Sequence, residues 1–328
     1  MVRKSIRERL SHLEAIPERY REILLHFASN AEAELGPHFN EELFLTLFQL
    51  VEQQCRFPFF FHPYHQKIQA PFNYHRFALD FVSQLIDFSR SRLFGSEVVQ
   101  AIDRQIERGD NVILLANHQV EPDPQVINLL LEKTHPRLAS SIISVAGERV
   151  VTDPTAIPFS MGCDLLCIYS KRYIEFPPEW RAKKQLHNKQ VMESMSRLLS
   201  EGGRCIYVAP SGGRDRKNSE GKIEVAPFDP DAIEMFALMA RRSKKNTHFY
   251  PLALATYEIM PPPETIQIEL GESRHVSHSP VSVTFCPEFP IEHFPGSELS
   301  DKLERRAKRA ALLHQIVQTA HENMRATS

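Results

Sequence analysis

Three side chains able to move protons or bind ligands crowd one short stretch: His118, Glu121 and Asp123, within NHQVEPDP (Asn117–Pro124). His118 and Asp123 follow the pattern His-x4-Asp. A carboxylate so placed can hold one ring N–H of an imidazole while the other nitrogen takes a proton from a substrate hydroxyl. It then sets the tautomer and stabilises the imidazolium that forms. Such a pair needs no Ser or Cys nucleophile when the substrate brings its own hydroxyl. Two plainer readings stand beside this one. Asp before Pro is also what a helix N-cap followed by a first-turn proline looks like, and a histidine after a buried strand also serves as a hydrogen-bonded structural group. A metal site on His118, Glu121 and Asp123 lacks His-x3-His spacing or a matching second cluster, so no metal is expected.

The flanking pattern says what must position these residues. Val112–Ala116 is a short apolar run bounded by polar residues, as a buried strand is, and an apolar helical pattern begins after Asp123-Pro124. The turn between them lies at the mouth of a sheet, where α/β enzymes place their chemistry. Further strands are expected at Ser141–Ala146, Leu165–Tyr169, Cys205–Val208, Phe249–Leu254, Ile266–Leu270 and Ser282–Phe285. Helices are expected at Phe77–Phe88, at Ser96–Glu107 with Ser96 as cap, at Asn188–Ser200, from Asp229-Pro230 to Arg241, and at Leu299–Met324 with Lys302 to Arg309 on its solvated side. Upstream, Arg19–Leu35 ends at Gly36-Pro37, and Asn40 caps a helix with Leu43, Leu47, Leu50 and Val51 on one face, widened by Phe44 and Phe48. The aromatic run Phe57–His75 breaks periodicity and marks a junction. The expected architecture is α/β, a mixed sheet flanked by helices on both faces and preceded by a small helical bundle, divided as residues 1–57 and 58–328.

Several expected strands end in loops carrying cations: Arg149, then Lys171 and Arg172, then Arg214 and Arg216 in APSGGRDR. Glycines there permit close backbone approach, and arginine forks suit phosphate. Each is also an ordinary solvated loop cation, and Asp215 offers a partner to one of them. Convergence beside His118 would make them an anion pocket next to a general base.

Composition narrows the classes. With 328 residues, 42% hydrophobic and 24% charged, the chain has the makeup of a soluble globular protein. A net charge of −2 excludes a general attraction to nucleic acid or anionic membrane. Five scattered cysteines without a C-x-x-C pair fit free thiols in a reducing compartment. The amino terminus has neither the apolar core of a secretory signal nor an organelle-type composition. No run approaches the roughly 20 apolar residues of a transmembrane helix, so a cytoplasmic location is expected.

NHQVEPDP, VAGERVVTDP (Val145–Pro154), CIYSKR (Cys167–Arg172), APSGGRDR (Ala209–Arg216) and PLAL with IMPPP (Pro251–Pro263) occur in that order. Together with PFNYHRF and LIDFS upstream, they resemble the soluble, plastid-type glycerol-3-phosphate acyltransferases, also found in some bacteria, over most of the chain from about residue 57. The resemblance implies an amino-terminal helical bundle and a larger α/β domain. It implies acyl transfer from acyl carrier protein or coenzyme A to the sn-1 hydroxyl of glycerol 3-phosphate, without a cofactor, in the bacterial cytoplasm or, after processing, the plastid stroma. His118 matches the family's base, Asp123 its partner, and Arg214 and Arg216 its phosphate-site arginines. Where the family typically has Ser-Lys-Lys-His, this chain has Ser170-Lys171-Arg172-Tyr173. Arg172 keeps the charge, and Tyr173 cannot become a cation. Where the wider superfamily often has Pro-Glu-Gly-Thr-Arg, this chain has Pro210-Ser211-Gly212-Gly213-Arg214, which favours the soluble branch over membrane-bound enzymes. Peripheral membrane contact is compatible with this reading. Rival readings are acylation of another phosphorylated acceptor such as dihydroxyacetone phosphate, a metal-dependent hydrolase on His118, Glu121 and Asp123, and an inert lipid- or carrier-protein-binding module.

Overall fold

A computed structural model describes residues 6–170, 174–175, 177–263 and 270–326. Its helices are α1 (Ile6–Ser11), α2 (Glu18–Leu35), α3 (Glu41–Arg56), α4 (Tyr74–Ser83), α5 (Ser96–Glu107), α6 (Asp123–Leu131), α7 (Pro136–Ser141), α8 (Ile157–Ser160), α9 (Arg181–Glu201), α10 (Pro230–Ser243) and α11 (Lys302–Ala326). Its strands are β1 (Tyr64–His65), β2 (Arg92–Phe94), β3 (Asn111–Ala116), β4 (Ile142–Gly147), β5 (Asp164–Ile168), β6 (Cys205–Val208), β7 (Arg216–Lys217), β8 (Ile223–Glu224), β9 (Thr247–Ala255) and β10 (Ser282–Phe285).

An eight-stranded sheet lies at the centre, in the order β1-β5-β4-β6-β3-β9-β10-β2. The inner strands β5, β4, β6, β3 and β9 are parallel. Beyond them β10 runs antiparallel to β9, β2 parallel to β10, and β1 antiparallel to β5, so the sheet is mixed, as expected. Every residue of β3 is buried because helices cover both faces. Ile113 and Leu115 join a core with residues of α9, α10 and α11. Val112, Leu114 and Ala116 point the other way, into a core with residues of α5, α6 and α7.

Parallel strands drop their following loops on one edge. That edge therefore receives His118 after β3, Arg149 after β4, Arg214 after β6 and Thr256 after β9. The amino-terminal helices form as read: Asn40 caps α3 by accepting the Glu42 N–H at 3.1 Å. Their apolar residues Phe27, Phe44 and Phe48 share one core with Phe81, Ile157 and Leu165, so these helices and the β5 side of the sheet bury each other.

Several local expectations are corrected. Helix α4 stops at Ser83 instead of reaching Phe88, because Asp87 accepts from the Ser89 N–H and hydroxyl and from Arg90, a local turn that competes with helix. Ser96 does not cap α5; Gly95 does, at φ 80°, where a side chain would also run into the Phe285 carbonyl. Arg309 is not on a solvated face: it is buried against Glu234 and the Phe294 ring. The short strands β1, β2, β7 and β8 carry too few residues for a period to register. The expected strand Ile266–Leu270 lies, apart from Leu270, outside the described residues. Among the described residues, no helix is long and apolar enough to cross a membrane.

Candidate active site

His118 follows β3, and its Nδ1 meets Asp123 Oδ2 at 2.7 Å. Asp123 is fully buried and opens α6, with Pro122 as the preceding cap residue and no side-chain capping bond. The N-cap alternative for Asp123 is therefore corrected: its carboxylate turns back toward the strand. Oδ2 also accepts the Gln119 N–H at 2.8 Å and the Val120 N–H at 3.2 Å, and Oδ1 accepts the Thr256 hydroxyl at 2.6 Å. These donors fix the carboxylate, which in turn fixes the imidazole and leaves Nε2 to a reacting group.

Beneath this pair lies a buried amide frame. Asn117 donates to Asp215 Oδ2 at 2.7 Å and to the Leu254 carbonyl at 3.0 Å, and accepts the Leu254 N–H at 2.7 Å, continuing the β3–β9 ladder with its side chain. Gln119 accepts the N–H groups of Thr256 and Tyr257 through Oε1, at 2.7 and 3.0 Å. Its Nε2 consequently donates to Asp215 Oδ2 and to His321 Nε2, both at 3.1 Å. His321 must accept there, which requires a neutral ring; burial lowers its pKa to about 4, and nearby Arg325 adds to the shift. Burial raises Asp215 to about 6, although the Ala226 N–H, Asn117 and Gln119 donate to it. Asp215 thus partners amides, not the arginines beside it in sequence. Its own N–H donates to the His118 carbonyl at 2.6 Å, tying the β6 loop to His118.

The cations form a second group. Arg214 donates to Glu272 at 2.7 Å, and Arg149 approaches the same carboxylate oxygen at 3.9 Å. Arg274 grips Glu121 through Nε at 2.7 Å and Nη2 at 3.3 Å, and donates to Thr155 at 2.7 Å. Burial pushes the Glu121 carboxyl up, but Arg274, Arg214 and Arg149 outweigh it and hold the pKa below its ordinary value. Arg216 donates to the Pro263 carbonyl, and burial followed by the nearby Arg214 charge lowers its pKa. The turn before Arg214 needs Gly212 for its φ of 63°, with open space above it. Arg149, Arg214 and Arg216 are therefore brought together; Lys171, Arg172 and Tyr173 lie outside the described residues. The metal alternative loses its donor set, since Glu121 faces Arg274 while Asp123 takes His118. Sequence reasoning missed Arg274 and Glu272. Nothing local links Arg274 to Glu121, 153 residues away. Asn117 and Gln119, amides following a buried strand, were the legible hint of a frame, because buried amides require partners.

Between His118 and the amino-terminal helices lies a chamber of about 140 Å³, mostly apolar, lined by Phe27, Phe81, Val145, Phe159 and Leu165 among others. His118, Glu121 and Arg274 stand on its wall. The arrangement pairs a fixed imidazole with a guanidinium cluster and an apolar chamber.

Residues 97–255 match the Acyltransferase family, a span that includes His118, Asp123, Arg149, Arg214 and Arg216. Over most of its length the chain is a homologue of plant chloroplastic glycerol-3-phosphate acyltransferases. It is 38% identical over 260 residues to one from Cucurbita moschata, covering 79% of this chain and 58% of the relative. It is 40% identical over 232 residues to the Arabidopsis thaliana protein, covering 70% and 50%, and 38% identical over 270 residues to that of Spinacia oleracea, covering 81% and 57%. The chain thus spans less than two thirds of the length of these relatives.

Proposed function

We propose that this protein transfers an acyl group from an acyl carrier protein or coenzyme A thioester to the sn-1 hydroxyl of glycerol 3-phosphate, giving 1-acylglycerol 3-phosphate. The observation that carries the reading is the His118–Asp123 pair at the meeting of an apolar chamber and a guanidinium cluster. His118 Nε2 takes the hydroxyl proton as the oxygen attacks the thioester carbonyl. The tetrahedral intermediate then expels the thiolate, which recovers the proton from His118. Asp123 steadies the imidazolium in between. Arg149, Arg214, Arg216 and Arg274, with Lys171 and Arg172, hold the phosphate and orient the acceptor. The apolar chamber receives the acyl chain, with Phe27 of the amino-terminal helices, residues 1–57, forming part of its wall. The reaction needs no cofactor or metal. The names of the relatives favour the plastid stroma over the bacterial cytoplasm as the compartment.

The test is turnover of radiolabelled glycerol 3-phosphate and glycerol with both thioester types. Glycerol 3-phosphate should be acylated and glycerol poorly so. Equal turnover would remove the phosphate site, and no product from any thioester would remove acyl transfer.

A further inference from the structure

We infer that Gln125 and Cys163 form an end wall that measures the acyl chain, a proposal that rests on the acyl-transfer reading above. Two cavities lie in line under α6. The chamber beside His118 runs past Pro122, Pro124 and Gln125 of the α6 start, and past Gly147, Ala146, Val145 and Ser144 of β4. A second cavity, of about 30 Å³, begins at Gln125 and Ser144 and continues to Asn128, one turn further along α6, and to Ile142 at the start of β4. Helix and strand thus mark the same axis, leading from the reactive edge of the sheet toward its opposite end.

The cavities share Pro124, Gln125, Ser144 and Cys163. At that junction Gln125 Nε2 donates to Cys163 Sγ at 3.3 Å, bridging α6 to the residue before β5. Gln125 is 6% exposed, and its Oε1 finds no partner among the described residues. The Tyr207 hydroxyl on the chamber lining is 4% exposed and likewise without one. The Gln125–Cys163 contact closes the chamber by its bulk, and the methyl end of a saturated chain stops against it. Beyond the wall the free space, about 30 Å³, would hold roughly two waters at about 10–15 Å³ each. That is room for one or two methylenes. The favoured donor is therefore an acyl thioester whose chain ends at this wall.

The experiment is a competition among saturated acyl-coenzyme A thioesters, in even steps from ten to twenty carbons, with glycerol 3-phosphate as acceptor. Gln125→Ala should join the cavities and move the preferred chain two carbons longer, raising the ratio of long to parent-length product at least about four-fold per methylene admitted. Gln125→Met, similar in length but without the amide, should keep the parent profile. Cys163→Leu should move it shorter. An unchanged profile in Gln125→Ala with native circular dichroism would overturn the wall. If that variant does not fold, a Cys163→Leu profile that fails to shorten overturns it instead. A parent protein inactive with every acyl-coenzyme A and every acyl carrier protein thioester would sink the acyl-transfer reading, so the two failures are distinguishable.

Discussion

Glu121 and Asp123 stand two residues apart in sequence, yet Asp123 is held by backbone N–H groups and a threonine hydroxyl, and Glu121 by arginine. Neutral donors fix a carboxylate in place without pairing it to a cation, so Asp123 is oriented toward the His118 ring and not tied up by arginine. Guanidinium groups neutralise Glu121 and Glu272, and those carboxylates occupy donors that a phosphate would use. The base corner is complete before substrate arrives. On the proposed reading, a phosphate would reach the anion corner by exchanging with Glu121 and Glu272, which hold the arginines in place meanwhile.

The largest expected effect breaks the base corner. His118→Ala should lower kcat by on the order of 10²–10⁴ while the fold is retained. Asp123→Asn should also lose rate, because a neutral amide cannot stabilise the imidazolium or hold its tautomer as the carboxylate does. Helix α6 has no side-chain cap to lose at this residue. A near-parental kcat for Asp123→Asn, measured at saturating acceptor, would mean that the carboxylate does not act through His118.

The anion corner separates stability from binding. Arg274→Met leaves the partly exposed Glu121 without its main partner and should cost about 1.5–3 kcal/mol in urea denaturation. Arg214→Ala leaves Glu272 beside Arg149 and should cost less stability. It should instead lose about 1.5–3 kcal/mol, one to two decades, in kcat/KM for glycerol 3-phosphate. The thioester KM should hardly move if, as proposed, the acyl chain takes the apolar chamber. Equal losses for both substrates would return Arg214 to a purely structural role.

The two corners also differ in how far the sequence revealed them. His118, Asp123 and the strand–turn–helix around them are contiguous, so spacing and periodicity sufficed for the pair. That Asp123 orients instead of capping was open, because Asp-Pro satisfies both descriptions until the direction of the side chain is known. Arg149 and Arg214 were visible as cations after strands, and parallel topology explains their meeting on Glu272. Arg274 also follows an expected strand, Ile266–Leu270, but its partner Glu121 lies 153 residues away, so nothing local tied it to the site. The fold was legible where strands are long and buried, as in β3 and β9. It was not legible in two-residue strands such as β1, whose pairing depends on β5 and not on its own composition.

The smallest effect lies under the base corner, where Asp215 and His321 titrate in opposite senses through Gln119. His321 ordinarily titrates at 6.5 but is lowered to about 4 by burial and then by Arg325. Between those values the unfolded chain binds a proton that the folded one refuses, so stability is lost as pH falls from 6.5 toward 4. Asp215 is raised by burial from 3.8 to about 6. In that window the folded chain binds the extra proton, so this group adds stability as pH falls from 6 toward 3.8. Each contribution is at most about 3 kcal/mol, and over the shared window they largely cancel. Relative to the parent, His321→Gln should therefore gain stability on acidification. Its side-chain oxygen can still accept from Gln119, which preserves the frame. Asp215→Asn should lose stability over the same range, on top of a pH-independent cost from facing the donors of Asn117 and Gln119. The measurement is the urea midpoint of all three proteins in half-unit steps from pH 4 to 7. Parallel curves for the parent and His321→Gln would show that His321 does not remain neutral in the folded protein, and with it would fall the assignment of Gln119 Nε2 as its donor.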